Sequence, residues 1–414
     1  MFGQLYRTRA YEKFIDYNFN GDRRMTVLFF CLCVALILAE FVKGLSANGT
    51  PPVLQSYPWQ MDLAYFMWSN IAKFRIVLLI LIGLVATQLT IAHPIGFGLG
   101  LVLCMALWGG IYWLFNKFWV GKYKFLPITQ KTFLTAQENK VDPSTLIIGV
   151  DINGEQRAYP ANLLFYHHQV PDEVGGQPIL ATYCGMCRSG RVFDTNWDIG
   201  VPEFQLVGAV SYNAVLRDSL TNSWWRQETG EAAKGPKQGE QLEDIYFEQM
   251  TLEHWIEKHP ETLILQYDPV FQRQYNFLGK LLNYEASFPG WYRQETPPLI
   301  IGVDIEGQAK AYDLSELHKK RMIVDDHAGT PLLVLSDPEG RAAFVYNRNL
   351  GDQTLSFESD DNGFYDVETG SRWNDLGRCT EGSLKGQSMT QLQSYQQFVR
   401  AWITFHPETE FYTF

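Results

Sequence analysis

Residues 181–190 read Ala-Thr-Tyr-Cys-Gly-Met-Cys-Arg-Ser-Gly, and the pair Cys184 and Cys187 is the part of the chain best suited to chemistry. Three chemistries suit two thiols at this spacing. In the first, Cys184 attacks a disulfide and Cys187 resolves the product. That needs a thiolate, and because a free cysteine titrates near about 8.5, positive charge or oriented N–H groups must lower it. Arg188, Arg191 or a protonated His167 are the candidate sources, and no cofactor is required. In the second, Cys184, Cys187 and His167 bind zinc or copper, with His168, Cys379 or water completing the set. A closed structural metal site would normally bring a second CxxC, and none is present. Covalent c-type haem is excluded, since Arg188 and not a histidine follows the motif. In the third, a permanent disulfide closes a tight turn, with little entropic gain from so short a loop. The order of preference is redox, then metal, then a structural disulfide in a non-catalytic ligand-binding module. Tyr183, Arg188, Tyr212, Asn213 and Trp224 are the candidate pocket residues.

The run Tyr183–Arg188 is similar to the thioredoxin motif, but that motif opens a helix, whereas here Ser189-Gly190 leads into the strand-like Arg191–Asp194. Any redox chemistry therefore sits on a different scaffold.

That scaffold is written twice. Ile147–Tyr159 (IIGVDINGEQRAY) returns as Ile300–Tyr312 (IIGVDIEGQAKAY), and Trp255–Thr262 (WIEKHPET) returns as Trp402–Thr409 (WITFHPET). Between them GGQPIL faces AGTPLL, and after a small length change Asp218-x-x-Thr-x-Ser-x-Trp225 recurs ending in Trp373. A first repeat over 132–265 carries the CxxC, residues 266–298 connect, and a second repeat over 299–414 lacks it. Asn153-Gly154 predicts a hairpin turn, Gly208 a bend or bulge, and Thr251 the N-cap of a short amphipathic helix. The expected class is α+β, strand-rich, with two pseudo-symmetric halves. In the ungapped register Cys184 becomes Asp337, Cys187 becomes Gly340 and His167 becomes Lys320. The fold does without the cysteines in its second copy, so they are present for chemistry, and the joint loss groups His167 with them. His168, read in a strand or extended turn, points the other way.

The first 131 residues are of another kind. Apolar runs at 26–42, 76–92 and 95–120 predict about three transmembrane helices, since roughly 20 apolar residues cross a bilayer. Lys and Arg outnumber Asp and Glu by 12 to 5 over 1–131, while 132–414 holds 22 against 40, so a nucleic-acid partner is excluded. Arg7, Arg9, Lys13, Arg23 and Arg24 before the first span favour an inside N-terminus and a soluble region on the outer face; Lys73, Arg75, Lys117, Lys122 and Lys124 argue against it. The partners expected are the membrane and a membrane or periplasmic redox protein.

The segments GVDINGEQRAYP, HHQVPDEVGGQPILATYCGMC, GRVFD, SYNAVLRDSLTNSWW and HPETLIL together resemble the bacterial family called domain of unknown function 3179, over about 146–414. The resemblance implies an exported or membrane-anchored bacterial protein, and the basic N-terminal flank then favours the inner membrane with a periplasmic domain. Some members have selenocysteine at a motif cysteine, which implies redox chemistry there. His167, Cys184 and Cys187 match the family's His and CxxC positions, and Tyr212-Asn213 matches a recurrent Tyr-Asn. His168 stands where an acidic residue is common, and Arg188 where glycine is usual.

Overall fold

The computed structural model describes residues 2–47, 57–92, 94–118, 125–283 and 298–414, in two compact units, 1–124 and 125–414. Lys122, Lys124, the end of the third apolar run and residues 284–297 of the connection lie outside the described residues.

The first unit is helical. α1 (Phe2–Ala47), α2 (Trp59–Ala92) and α3 (Pro94–Trp113) contain three stretches long and apolar enough to cross a membrane, Arg23–Ala47, Trp59–Leu89 and Phe97–Phe118. The last ends in a π-helical turn, Leu114–Phe118. Glu40 and Lys43 are buried within this unit. Arg75 donates to both Glu40 oxygens at 2.6 and 2.8 Å, Asn116 donates to Glu40 at 3.0 Å, and Lys43 donates to the Asn116 side-chain oxygen Oδ1 at 2.6 Å. Charged groups in an apolar surrounding are tolerated when paired in this way.

The second unit is strand-rich. Its first half runs β1 (Phe133–Thr135), β2 (Leu146–Ile152), β3 (Glu155–Pro160), α4 (Ala161–His167), β4 (Gln169–Val174), β5 (Gln177–Cys184), β6 (Ser189–Asp194), β7 (Phe204–Val210), β8 (Asn213–Asp218), β9 (Trp224–Arg226), β10 (Ala232–Lys234), β11 (Glu248–Thr251), α5 (Leu252–Lys258) and β12 (Leu263–Leu265). Three sheets result, ordered β1-β12-β3-β2-β11, β4-β5-β6 and β10-β9-β8-β7. Asn153 and Gly154 both take positive φ at the β2–β3 turn, the geometry that matches the twist of the flanking strands. The register of β7 against β8 shifts between Leu206 and Gly208, where the bend was expected. Thr251 does precede α5, but its hydroxyl pairs with His254 Nδ1 at 2.7 Å instead of a backbone N–H. His167 and His168 are not in a strand: α4 ends on His167, and His168 caps it in the left-handed region at φ 64°.

After α6 (Gln272–Asn283) the second half repeats the pattern with β13 (Leu299–Ile305), β14 (Gln308–Asp313), α7 (Leu314–Lys320), β15 (Met322–His327), β16 (Thr330–Ser336), β17 (Ala343–Asn347), β18 (Asn349–Leu350), β19 (Gln353–Thr354), β20 (Phe357–Asp360), β21 (Gly363–Asp366), β22 (Arg372–Trp373), β23 (Cys379–Glu381), β24 (Thr390–Gln391), β25 (Tyr395–Phe398), α8 (Val399–Phe405) and β26 (Glu410–Phe411). The pairings correspond position by position. Ile147 faces Pro160 as Ile300 faces Asp313; Gln169 faces Thr182 as Met322 faces Leu335; Tyr183 faces Gly190 as Ser336 faces Ala343. Trp225 Nε1 donates to Asp218 and Trp373 Nε1 to Asp366, each at 2.9 Å. The halves also cross-pack: Met250, Leu252 and Trp255 join a core with Leu333, Leu335 and Phe344, while Ala401 of α8 joins the core that holds the cysteines.

Candidate functional site

β5 and β6 pair up to Cys184 opposite Ser189, which leaves Gly185–Arg188 as a four-residue turn with no helix after it. Gly185 is required here by close approach, because a Cβ would lie 1.6 Å from the Phe165 ring of α4. The helix thus seats directly on the turn. From the other half, the Phe398 N–H donates to the Cys187 carbonyl at 2.9 Å. The cysteines are free thiols, 1 % and 0 % exposed, in an apolar cluster with Leu180, Phe193, Trp225 and Ala401.

Their electrostatics differ. Burial pushes the Cys184 thiol up, but hydrogen bonds from the Cys187 thiol and from the backbone N–H groups of Cys187, Ala214 and Met186 outweigh it and hold the group below the ordinary thiol range. Burial pushes the Cys187 thiol well above that range, and the neighbouring Cys184 and Glu228 add to the shift. The two sulfurs are thus shifted in opposite directions. The largest lowering influences on Cys184 are hydrogen-bond donors of the turn and of β8. Arg191 is committed elsewhere: Nη2 lies 2.5 Å from the Glu228 carboxylate, Nε donates to the Glu228 carbonyl at 2.7 Å, and the guanidinium stacks 3.7 Å from the Tyr395 ring.

The β7–β8 hairpin delivers a second layer. Ser211 and Tyr212 form its tip at φ 55° and 58°, an arrangement that usually recruits Asn or Gly. Asn213 then donates to the Cys187 sulfur at 3.3 Å and to Gln227 at 2.9 Å, and its carbonyl oxygen accepts the Glu228 N–H at 2.9 Å. Ser189 Oγ lies 3.4 Å from the Cys187 sulfur, and Gln227 ties Thr182 and Ser189 together. Sequence reasoning missed Gln227, Glu228 and the Ala214 N–H. The small length difference between the repeats was their one signal, because it falls on this hairpin.

The remaining candidates are placed as follows. His167 has Nδ1 at 2.5 Å from the Leu126 carbonyl and Nε2 at 2.6 Å from the Tyr275 hydroxyl, so both ring nitrogens engage groups other than the cysteines. Burial pushes its pKa down, against a smaller upward pull from Leu126 and Asp268. The His168 ring packs 4.4 Å from Phe125, while its carbonyl accepts the Tyr183 N–H at 3.1 Å. Cys379 sits in another cluster, near Trp373, with its thiol on the Glu381 carbonyl. No three His, Cys, Asp or Glu residues among those described form a group that could hold a metal ion. Tyr183 is fully buried and its phenol is pushed up to about 12 by burial, with Arg188 pulling against this. The Tyr212 ring lies 5.2 Å beneath the Arg400 guanidinium. Trp224 is buried on β9, and its neighbour Trp225 is the tryptophan that shares the cysteine cluster.

No curated protein and no solved structure matches the chain. The family described as "Protein of unknown function (DUF3179)" matches residues 126–409, which takes in both halves of the strand-rich unit, and the chain belongs to that family.

Proposed function

We propose that this protein is a membrane-anchored dithiol–disulfide centre, with Cys184 as the attacking thiolate and Cys187 as the resolving thiol. The supporting observation is the opposed electrostatics of the two sulfurs, one held low by the Cys187 thiol and three backbone N–H groups despite full burial, the other held high by burial and by the neighbouring Cys184. A thiolate is the competent nucleophile in exchange, and a protonated neighbour can then resolve the mixed disulfide once it loses its proton. In the first step the Cys184 thiolate forms a bond to one sulfur of a substrate disulfide and expels the other as a thiolate. In the second the Cys187 sulfur displaces the remaining substrate thiolate. The protein ends oxidised at Cys184–Cys187 and the substrate ends reduced; run backwards, the pair oxidises a dithiol. The partner class is a membrane or periplasmic redox protein, and the cysteine domain is assigned to the outer face on the strength of the basic N-terminal flank.

The test uses the full chain in detergent. Thiol trapping across a glutathione redox series should show a reversible Cys184–Cys187 disulfide, absent in Cys184→Ser and Cys187→Ser. The thiolate absorbance lost on Cys184→Ser should titrate below the value of about 8.5 for a free cysteine. Stoichiometric zinc or copper that disappears in Cys184→Ser would replace this reading with the metal one. A disulfide that resists every cellular reductant would make the bridge structural.

A further inference from the structure

Arg191 and Glu228 form an ion pair whose side chains are 5 % and 0 % exposed. Arg191 Nη2 donates to Glu228 Oε1 at 2.5 Å, while Oε2 is buried without a hydrogen-bond partner among the described residues. Asn213 joins this pair to the cysteine turn: its carbonyl oxygen accepts the Glu228 N–H at 2.9 Å, and its amide donates to the Cys187 sulfur at 3.3 Å. A buried ion pair is often no more stable than two apolar side chains of similar volume. The second half shows that apolar solution. By strand register Arg191 corresponds to Phe344, and the third residue after the paired tryptophans is Glu228 in one half and Leu376 in the other. Phe344 and Leu376 lie in one apolar core, and the acid of that loop, Asp375, lies 3.6 Å from His254 instead. The buried ion pair therefore accompanies the thiols and not the fold.

Resolution of a mixed disulfide needs a base, because burial pushes the Cys187 thiol well up and only its thiolate attacks. Ser189 and Asn213, which lie within hydrogen-bond distance of its sulfur, are not bases. Cys184 and Glu228 both act on it through their charge, and in that step Cys184 is already bonded to the substrate. We propose that Glu228 accepts the Cys187 proton in the resolving step, with Arg191 holding the carboxylate in place. This rests on the dithiol reading above. As the Cys187 S–H bond breaks toward Glu228, its sulfur bonds to the Cys184 sulfur and the bond from Cys184 to the substrate sulfur breaks. The substrate leaves with that electron pair as a thiolate, which then takes the proton from Glu228. The other charged or titratable groups around Glu228 are Asp244 ahead of β11, Tyr395 on β25 and His406 after α8.

Rapid acid quench and peptide mass mapping of the reduced full chain in detergent, mixed with oxidised glutathione at a series of pH values, reads both steps. The first is growth of the Cys184–glutathione mixed disulfide, the second its conversion to Cys184–Cys187. Conversion in the wild type should vary little between pH 6 and 8. Glu228→Gln should still form the mixed disulfide, convert it at least about tenfold more slowly at pH 7, and gain rate steadily with pH as hydroxide replaces the lost base. Arg191→Phe combined with Glu228→Leu copies the second half and guards against a fold defect from an unpaired arginine. It should melt like the wild type and show the same slow, pH-dependent conversion. Conversion at the wild-type rate in these variants, or a slowdown equal at every pH, as a merely structural pair would give, would overturn the proton role and leave the dithiol reading standing. A wild-type chain that forms no Cys184–Cys187 disulfide would overturn both.

Discussion

The turn after β5 and the turn after β16 join strands in the same register, and each opens on a buried side chain that backbone N–H groups can hold. In the second half that side chain is Asp337, whose Oδ1 accepts the Arg341 and Ala342 N–H groups at 2.6 and 2.8 Å. In the first half it is Cys184, held by the N–H groups of Met186, Cys187 and Ala214. The position is thus an acceptor site in both halves, filled by a fixed structural group in one and by a titratable sulfur in the other. Two differences accompany the exchange. β7 and β8 are 7 and 6 residues long where β20 and β21 have 4 each, and the longer hairpin is what brings Asn213 and the Ala214 N–H to the thiols. Gly185 lets Phe165 sit on the first turn, whereas Pro338 occupies that place in the second. The two turns therefore differ in the acceptor, in the hairpin above it and in the residue beneath it.

Writing the second turn's acceptor into the first gives the largest expected effect. Cys184→Asp should eliminate dithiol–disulfide cycling altogether, read by thiol trapping, while the reduced protein melts within a few degrees of the wild type. A variant that fails to fold would show that the two turns are not equivalent acceptor sites. The reciprocal Asp337→Ala should cost about 1–3 kcal/mol, because it strands two buried N–H donors, and should leave thiol chemistry intact.

Gly185→Ala comes next. Overpacking a filled core costs about 1–3 kcal/mol and sometimes more, and a Cβ at 1.6 Å from an aromatic ring belongs at the upper end. Chemical denaturation should show the loss, and Phe165→Leu in the same chain should recover part of it. In the second half Pro338 is exposed, and Pro338→Ala should be nearly neutral.

Much of this scaffold was legible in the sequence for a physical reason. Alternating apolar positions bounded by Asn153-Gly154 and Gly175-Gly176 specify hairpins locally, and the repeated Asp-x-x-Thr-x-Ser-x-Trp run specifies a side-chain network whose partners lie within seven residues. The site was legible only as far as side chains advertise it. Cys184 and Cys187 stood out, but the donors that hold Cys184 are backbone groups, which any residue carries, and one of them comes from Ala214 on another strand. His167 was grouped with the cysteines because its counterpart, Lys320, also lacks the chemistry. Its hydroxyl partner Tyr275 lies on α6, in the connection between the repeats, so comparing the repeats could not reveal what His167 serves. The closing residue Phe398 comes from the other half, more than 200 residues away in sequence, and no local pattern announces that contact.

The two HPET histidines sharpen the comparison where the halves agree. His259 lies over Trp255 at 4.1 Å and His406 over Trp402 at 4.0 Å, and burial pushes both pKa values down, that of His259 to about 4. An unfolded histidine takes up its proton near about 6.5, so the unfolded state binds more protons as pH falls below that value. Stability is then intact above pH 6.5 and falls progressively toward pH 4, by up to about 2–3 kcal/mol from His259. Denaturation midpoints measured from pH 7 to 4.5 should decline less in His259→Gln than in the wild type. An unchanged slope would mean that this histidine is solvated and titrates normally.

Asn213→Ala separates the hairpin's contribution from that of the turn. It strands the Glu228 N–H and removes the donor to Cys187, at a cost of about 2 kcal/mol, and it has no equivalent effect in the second half, where the hairpin is shorter. The smallest effect is expected at the tip of that hairpin. Ser211 and Tyr212 both sit at positive φ, which costs a residue with a Cβ about 1–2 kcal/mol each, and an Asn-Gly pair would relieve most of it. Against that gain stands the Tyr212–Arg400 stacking at 5.2 Å, worth roughly 0.5–1 kcal/mol at a partly exposed site. Ser211→Asn with Tyr212→Gly should therefore raise stability by about 1 kcal/mol, measured by urea denaturation. If the tip only closes a hairpin, disulfide formation between Cys184 and Cys187 will be unchanged in that variant. A slower or shifted redox equilibrium, with stability raised as expected, would mean that the strained pair sets the position of Asn213 and Ala214 against the sulfurs, and that the strain is kept in the first half for the sake of the thiols.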